Sequence, residues 1–145
     1  MLYFSYGMNT NLDQMAGRCP TAVSLGKATL LDYRFEFKRH ATVEFESYSV
    51  VSGVLWEITK KDERSLDILE GFPIYYYKKD VKVLHNGKYV TAMTYLMDPS
   101  SELCLPTDRY YDMLIEGYEQ HDISTEQLDL AVKRAARFEE LYQYN

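Results

Sequence analysis

Tyr3-Phe4-Ser5-Tyr6-Gly7-Met8-Asn9-Thr10-Asn11 opens the chain, and the reading of everything downstream turns on it. Its first residues form a short apolar, aromatic run, the pattern of a buried strand. The run stops at Tyr6-Gly7. Thr10 stands three residues before Asp13, a capping-box spacing placed ahead of Leu12 and Met15, and predicts the start of a helix. The stretch therefore predicts strand, glycine turn, helix start. Gly7 allows the backbone a turn that a side chain would obstruct, and the N–H groups of loop and helix start face one space. Backbone donors so arranged can hold an anion or a developing oxyanion without a charged side chain. An ordinary strand-to-helix loop fits these nine residues equally well, so the remaining sequence must supply what the loop would act with.

Outward from this point, Gly17-Arg18-Cys19-Pro20 ends the first helix. Ala22 to Phe37 is rich in β-branched and aromatic residues interrupted at Gly26 and Asp32, which predicts two short strands. Strict alternation in Tyr33-Arg34-Phe35-Glu36-Phe37 predicts a strand with one wet face. Thr42-Val43-Glu44-Phe45 and Val50-Val51-Ser52-Gly53-Val54-Leu55-Trp56-Glu57-Ile58 are further strands, Gly53 marking a bulge or a close backbone approach. Thr59 and Asp62 form a capping box for a helix through Leu66 and Leu69. Gly71 closes it, and Pro73 prevents its return. Tyr75–Val83 and Tyr89–Met97 read as a hairpin around His85-Asn86-Gly87. Thr107 caps a helix carrying Tyr110 and Leu114 and ending near Gly117. Ser124 with Gln127 caps a last amphipathic helix through Leu128, Ala131, Ala135 and Phe138. The order predicts one α+β domain over residues 1–145, a mixed and largely antiparallel, barrel-like sheet flanked by helices.

Composition narrows the function. A chain with 46% hydrophobic and 26% charged residues has the make-up of a globular protein. No apolar run reaches membrane-spanning length, and the N-terminus lacks the basic region of a signal peptide. Cys19 and Cys104 lie far apart without a metal or redox spacing. Together these point to a cytoplasmic protein with two reduced thiols. A net charge of −6 and a pI near 5.1 speak against a nucleic-acid partner, although the 14 tyrosines could stack bases. No metal spacing joins His40, His85 and His121, which read as solvated, and no phosphate or dinucleotide glycine pattern is present. Elimination leaves a carboxylate, backbone donors and tyrosines. Glu70 falls in the last turn of its helix, four residues after Leu66, and points inward if Leu66 does. Two readings stand side by side: a helix-terminal surface residue, or a buried proton-transfer group.

The pair Tyr6-Gly7-Met8-Asn9 and Leu66-Asp67-Ile68-Leu69-Glu70-Gly71-Phe72 resembles the γ-glutamylcyclotransferase-like family. That family opens with Tyr-Gly-Ser-Asn and carries its general acid/base in an Asp-x-x-Glu-Gly segment. The resemblance continues through Val51–Ile58, through Tyr76, and through Pro106-Thr107-Asp108-Arg109-Tyr110 to Gly117, leaving only the terminal helix generic. It implies the family's barrel fold and a cofactor-independent cyclisation of a γ-glutamyl small molecule to 5-oxoproline. Glu70 is then the general acid/base, and Tyr6, Gly7, Met8, Asn9, Tyr76 and Tyr110 bind substrate. Tyr75 is the alternative to Tyr76, and Tyr111 the alternative to Tyr110. Met8 departs from the family's serine. A catalytically inactive, ligand-binding relative of the same fold therefore stays open, as does the choice between a monomer and a homodimer.

Overall fold

The structure is a computed structural model that describes residues 1–143. Five strands close into a barrel in the order β1-β3-β2-β4-β5. They are β1 (Leu2–Ser5), β2 (Val23–Lys38), β3 (His40–Glu57), β4 (Tyr77–His85) and β5 (Lys88–Leu96). Neighbours pair antiparallel except β1 and β5, which meet in parallel at Tyr3 and Met93 and close the ring. Four helices flank it: α1 (Leu12–Arg18), α2 (Lys60–Leu69), α3 (Asp108–Gln120) and α4 (Glu126–Gln143). Closure leaves β1 and β5, the two ends of the strand order, no free edge. The architecture is the mixed, barrel-like sheet with flanking helices that the element order predicts.

The two short strands expected between Ala22 and Phe37 are one strand of 16 residues, and Thr42–Phe45 and Val50–Ile58, all but Ile58 itself, belong to one strand of 18. The interruptions at Gly26 and Asp32 are register shifts with positive φ, 88° and 64°. A bulge absorbs a residue and bends the ladder without ending it. Across the second shift the Asp32 carboxylate accepts the Tyr48 N–H at 3.0 Å. The polar face of Tyr33–Phe37 is wet at Arg34, whose side chain is 40% exposed, but not at Glu36. Glu36 is fully buried, bonded to Arg34 and 3.3 Å from Arg134 of α4, which packs over β2.

Gly53 is a close approach, not a bulge. A Cβ there would lie 2.2 Å from the Ser5 carbonyl oxygen and 2.6 Å from the Phe4 ring. Gly117 does not end α3, which runs on to Gln120. It sits inside the helix because a Cβ would meet Thr10 Oγ1 at 2.4 Å and Asn11 N at 2.8 Å. Helix α1 is capped by Asn11, not Thr10. The Asn11 carboxamide oxygen accepts the Asp13 and Gln14 N–H groups, while a single 3-10 turn, Met8–Thr10, takes up the preceding residues. Gln127 makes no capping box with Ser124. Its amide pairs with both backbone groups of Ser52 at 2.8 Å, acting as a surrogate strand neighbour, and donates to the Tyr118 hydroxyl.

Helix α2 follows its sequence signals. Thr59 and Asp62 form the reciprocal capping box. At the other end, Phe72 N–H bonds Asp67 O and Gly71 N–H bonds Ile68 O, with Gly71 at φ 63°. This is a Schellman stop, and it fixes Glu70 as the C-cap residue. Thr59→Ala removes the cap, and a lower thermal midpoint equivalent to about 1 kcal/mol is the expected result. The β4–β5 hairpin turns at Asn86-Gly87, both at positive φ, as an Asn-Gly turn requires. Among the described residues no helix is long and apolar enough to cross a membrane.

Candidate active site

The end of β1, the 3-10 turn, the C-terminus of α2, the start of β3, and residues of β5 and α3 surround a cavity of about 270 Å³. Tyr6, Gly7, Met8, Asn9, Glu70, Tyr76 and Tyr110 all line it. Residues separated by as many as 104 positions in sequence thus share one space, and every residue selected from the sequence is in it.

Glu70 enters the cavity because the Schellman stop ends α2 one residue before the chain reverses. Leu66, one turn earlier, is fully buried in the core. Of the two readings of Glu70, the surface one is excluded by this geometry. The carboxyl oxygen Oε1 accepts a hydrogen bond from Asn9 Nδ2 at 3.2 Å. Desolvation raises its pKa from the ordinary 4.5 to about 7, against the opposing charge of Arg18 and the Asn9 hydrogen bond. A carboxyl poised there exchanges protons at neutral pH.

Asn9 is itself buried and its amide is fully used. Nδ2 donates to Glu70 and, at 2.9 Å, to the Tyr3 hydroxyl, while Oδ1 accepts from Arg18 Nη1 at 2.7 Å. The Ser5 hydroxyl donates to the Asn9 carbonyl at 3.0 Å and accepts from the Trp56 indole at 2.9 Å, tying the turn to β3. Behind the loop, the Tyr118 hydroxyl donates to the Tyr6 carbonyl at 2.6 Å. Among the described residues no acceptor meets the N–H groups of Gly7, Met8 and Asn9, although the Thr10 and Asn11 N–H groups close the 3-10 turn. Orphan donors beside a cavity are anion-binding groups.

The tyrosines divide by what their hydroxyls already do. Tyr6 donates to the Tyr95 carbonyl, and Tyr76 donates to the Ala41 carbonyl at 2.7 Å. Tyr110 instead accepts from the Ala41 N–H at 3.0 Å, which leaves its own proton to point elsewhere. Burial, with the nearby Glu70 charge adding to it, holds the Tyr6 phenol well above its usual pKa. Burial also raises Tyr76 and Tyr110, so all three stay neutral. Gly7 matters here through space and not only through its turn. A Cβ would press on Ala41 Cβ at 3.0 Å and on the Tyr110 hydroxyl at 3.2 Å. Tyr111 packs its ring on Phe37 and lies outside the cavity, whereas Tyr75 and Tyr76 both line it.

Four titratable lining residues escaped the sequence reading: Tyr3, Arg18, His40 and Tyr95. His40 is not simply solvated. Its Nδ1 lies 2.7 Å from the Tyr75 hydroxyl and its ring packs edge-on against Tyr110, where burial lowers its pKa. His121 likewise pairs with the Gly117 carbonyl and the Trp56 ring, and His85 with the Leu25 carbonyl. Arg18 was legible only as part of a helix stop, because nothing local says that a terminal arginine reaches back nine residues.

Comparison with known proteins points to one family. The human protein named γ-glutamylcyclotransferase is 29% identical over 139 residues, covering 86% of this chain and 73% of its own. The mouse protein of the same name gives the same figures. A solved structure titled γ-glutamyl cyclotransferase superposes with a TM-score of 0.81 at 28% identity, over 90% of this chain and 85% of that one. A family profile described as "Gamma-glutamyl cyclotransferase, AIG2-like" matches residues 3–132, nearly the whole chain, and with that match the chain belongs to the AIG2-like γ-glutamyl cyclotransferase family.

Proposed function

We propose that this chain is a γ-glutamyl cyclotransferase that converts a γ-glutamyl amine or amino acid into 5-oxoproline and the free amine. The observation carrying this reading is the Glu70 carboxyl, desolvated to a pKa of about 7 inside a cavity bounded by the Gly7–Asn9 donors. The α-amine nitrogen of the substrate attacks its own γ-carbonyl carbon. A C–N bond forms, the C–N bond to the leaving amine breaks, and no protein nucleophile takes part. Ionised Glu70 takes a proton from the α-ammonium and delivers it to the departing nitrogen. The reaction is intramolecular, so holding the glutamyl group folded supplies much of the rate. The unpaired N–H groups of Gly7, Met8 and Asn9 suit the substrate α-carboxylate or the developing oxyanion. The Tyr110 hydroxyl, whose proton is uncommitted, suits an oxygen of the glutamyl group, while Tyr6 and Tyr76 form walls.

A panel of γ-glutamyl amines and amino acids, followed by detection of 5-oxoproline, tests the proposal directly. Release from at least one member is expected, and none from the α-linked isomers. Met8, standing where the family has serine, favours a second reading, a small-molecule binder without turnover; tight binding with no 5-oxoproline from any panel member would select it. The pH dependence follows from Glu70. Only the ionised carboxylate can accept the proton, so kcat/KM should climb with pH through about 7. A profile already flat between pH 5 and 8 would remove Glu70 from that role.

A further inference from the structure

Three groups surround the Asn9 amide, and they differ in what they can do. Arg18 carries only donors, so the atom facing it at 2.7 Å must be the carboxamide oxygen. Ionised Glu70 carries only acceptors, so the atom facing it at 3.2 Å must be the nitrogen. The Tyr3 hydroxyl can donate or accept and dictates nothing. Glu70 loses this certainty during turnover. Once it holds a proton it can donate, and the amide could flip to accept from it. Arg18 alone keeps one hydrogen-bonding character through the whole cycle.

We infer that Arg18 is a positioning residue that locks the Asn9 amide, so that its nitrogen donates to Glu70 in both protonation states of the carboxyl. The lock returns the proton-transfer group to the same geometry after each turnover and favours its ionised form. The inference rests on Glu70 being the proton-transfer group. Arg18 is suited to the task by position. It ends α1, where the helix dipole favours a cation, and it is the only Arg or Lys among the described residues lining the cavity. The other titratable groups facing Glu70 are phenols, Tyr3 from β1, Tyr6 just after it, Tyr95 from β5, Tyr110 from α3, and Tyr75 and Tyr76 ahead of β4. Burial holds these neutral, while His40 from β3 has a lowered pKa.

The test is the pH profile of kcat/KM for the intact chain on a γ-glutamyl substrate that it turns over. Arg18→Met should move the rising limb about one pH unit higher, a roughly fivefold loss at pH 7 that is recovered in alkali. Arg18→Lys, another donor-only cation, should restore most of the shift. In an Asn9→Ala background the same Arg18→Met change should move the limb by clearly less, because only the direct charge of Arg18 on Glu70 then remains. A loss equal at every pH, or an equal shift with and without Asn9, would overturn the lock. If Arg18→Met melts early, all profiles are taken below its melting temperature, where the comparison with and without Asn9 still decides. Turnover by Glu70→Gln would instead sink the proton-transfer role itself, a separate outcome.

Discussion

Glu70→Gln is expected to give a protein that folds, melts higher than the parent above pH 7, and releases no measurable 5-oxoproline. Glutamine keeps the shape of the side chain and can still accept from Asn9 Nδ2, so the cavity is preserved. It cannot take up or deliver a proton. General acid–base catalysis contributes about 10²–10⁴-fold, and here one group serves both halves of the transfer, so a loss of about 10³-fold or more is expected. The stability change has the opposite sign. The native carboxyl holds its proton up to about pH 7, whereas the unfolded one releases it near the ordinary 4.5. Native stability therefore falls as pH rises from about 4.5 to 7, and the deficit persists above 7. A shift of that size corresponds to no more than about 3 kcal/mol, which glutamine would recover in part. Melting curves of both proteins at pH 5 and pH 8 check this. Retained turnover, or a variant less stable at pH 8, would break the link between burial and catalysis.

The second large effect is on the frame behind the site. Gly53→Ala is expected to lower the thermal midpoint by about 10 °C and to abolish activity with it, from a loss of about 3 kcal/mol or more. The added methyl would sit 2.2 Å from the Ser5 carbonyl oxygen and under 3 Å from two atoms of the Phe4 ring. The oxygen is backbone, and Phe4 is fully buried in the core, so neither can swing aside. Strand β1 would have to leave β3, and β1 is what delivers Tyr6-Gly7-Met8-Asn9 to the cavity. Thermal melts with a 5-oxoproline assay at low temperature measure both consequences. An alanine variant that melts like the parent would show that β1 is held less tightly than this packing implies.

Legibility varied with range. Local signals with a backbone cause were readable: the Thr59–Asp62 box, the Gly71 stop and the Asn86-Gly87 turn. Signals with two physical meanings were not. Gly26 and Asp32 look like strand ends, yet the barrel uses them as bulges inside one long strand, because pairing on both sides rewards continuing the ladder. Gly117 looks like a helix stop, and Thr10 like a cap. The two touch each other instead, and Asn11 takes the cap. Glu36 looks solvated until α4 covers it. In each case the deciding contact comes from a residue far away in the chain.

The sequence by itself determined the elements and the types of group that could do chemistry: a strand, a glycine turn, and a glutamate placed by its own helix stop. Local propensity and capping act within a few residues, so the order of letters contains them. Only the tertiary structure decided that these groups share a space. Closure of β1 on β5 and the reversal after Gly71 bring Asn9 within 3.2 Å of Glu70 across 61 positions. Burial in that shared space desolvates the carboxyl and lifts it from its ordinary pKa. Tyr3-Phe4-Ser5-Tyr6-Gly7-Met8-Asn9 could be read as a strand and a loop from its letters. Its partners, Glu70, Arg18 and the tyrosines, were settled by packing, because desolvation and hydrogen-bond direction belong to the folded whole and not to any one segment.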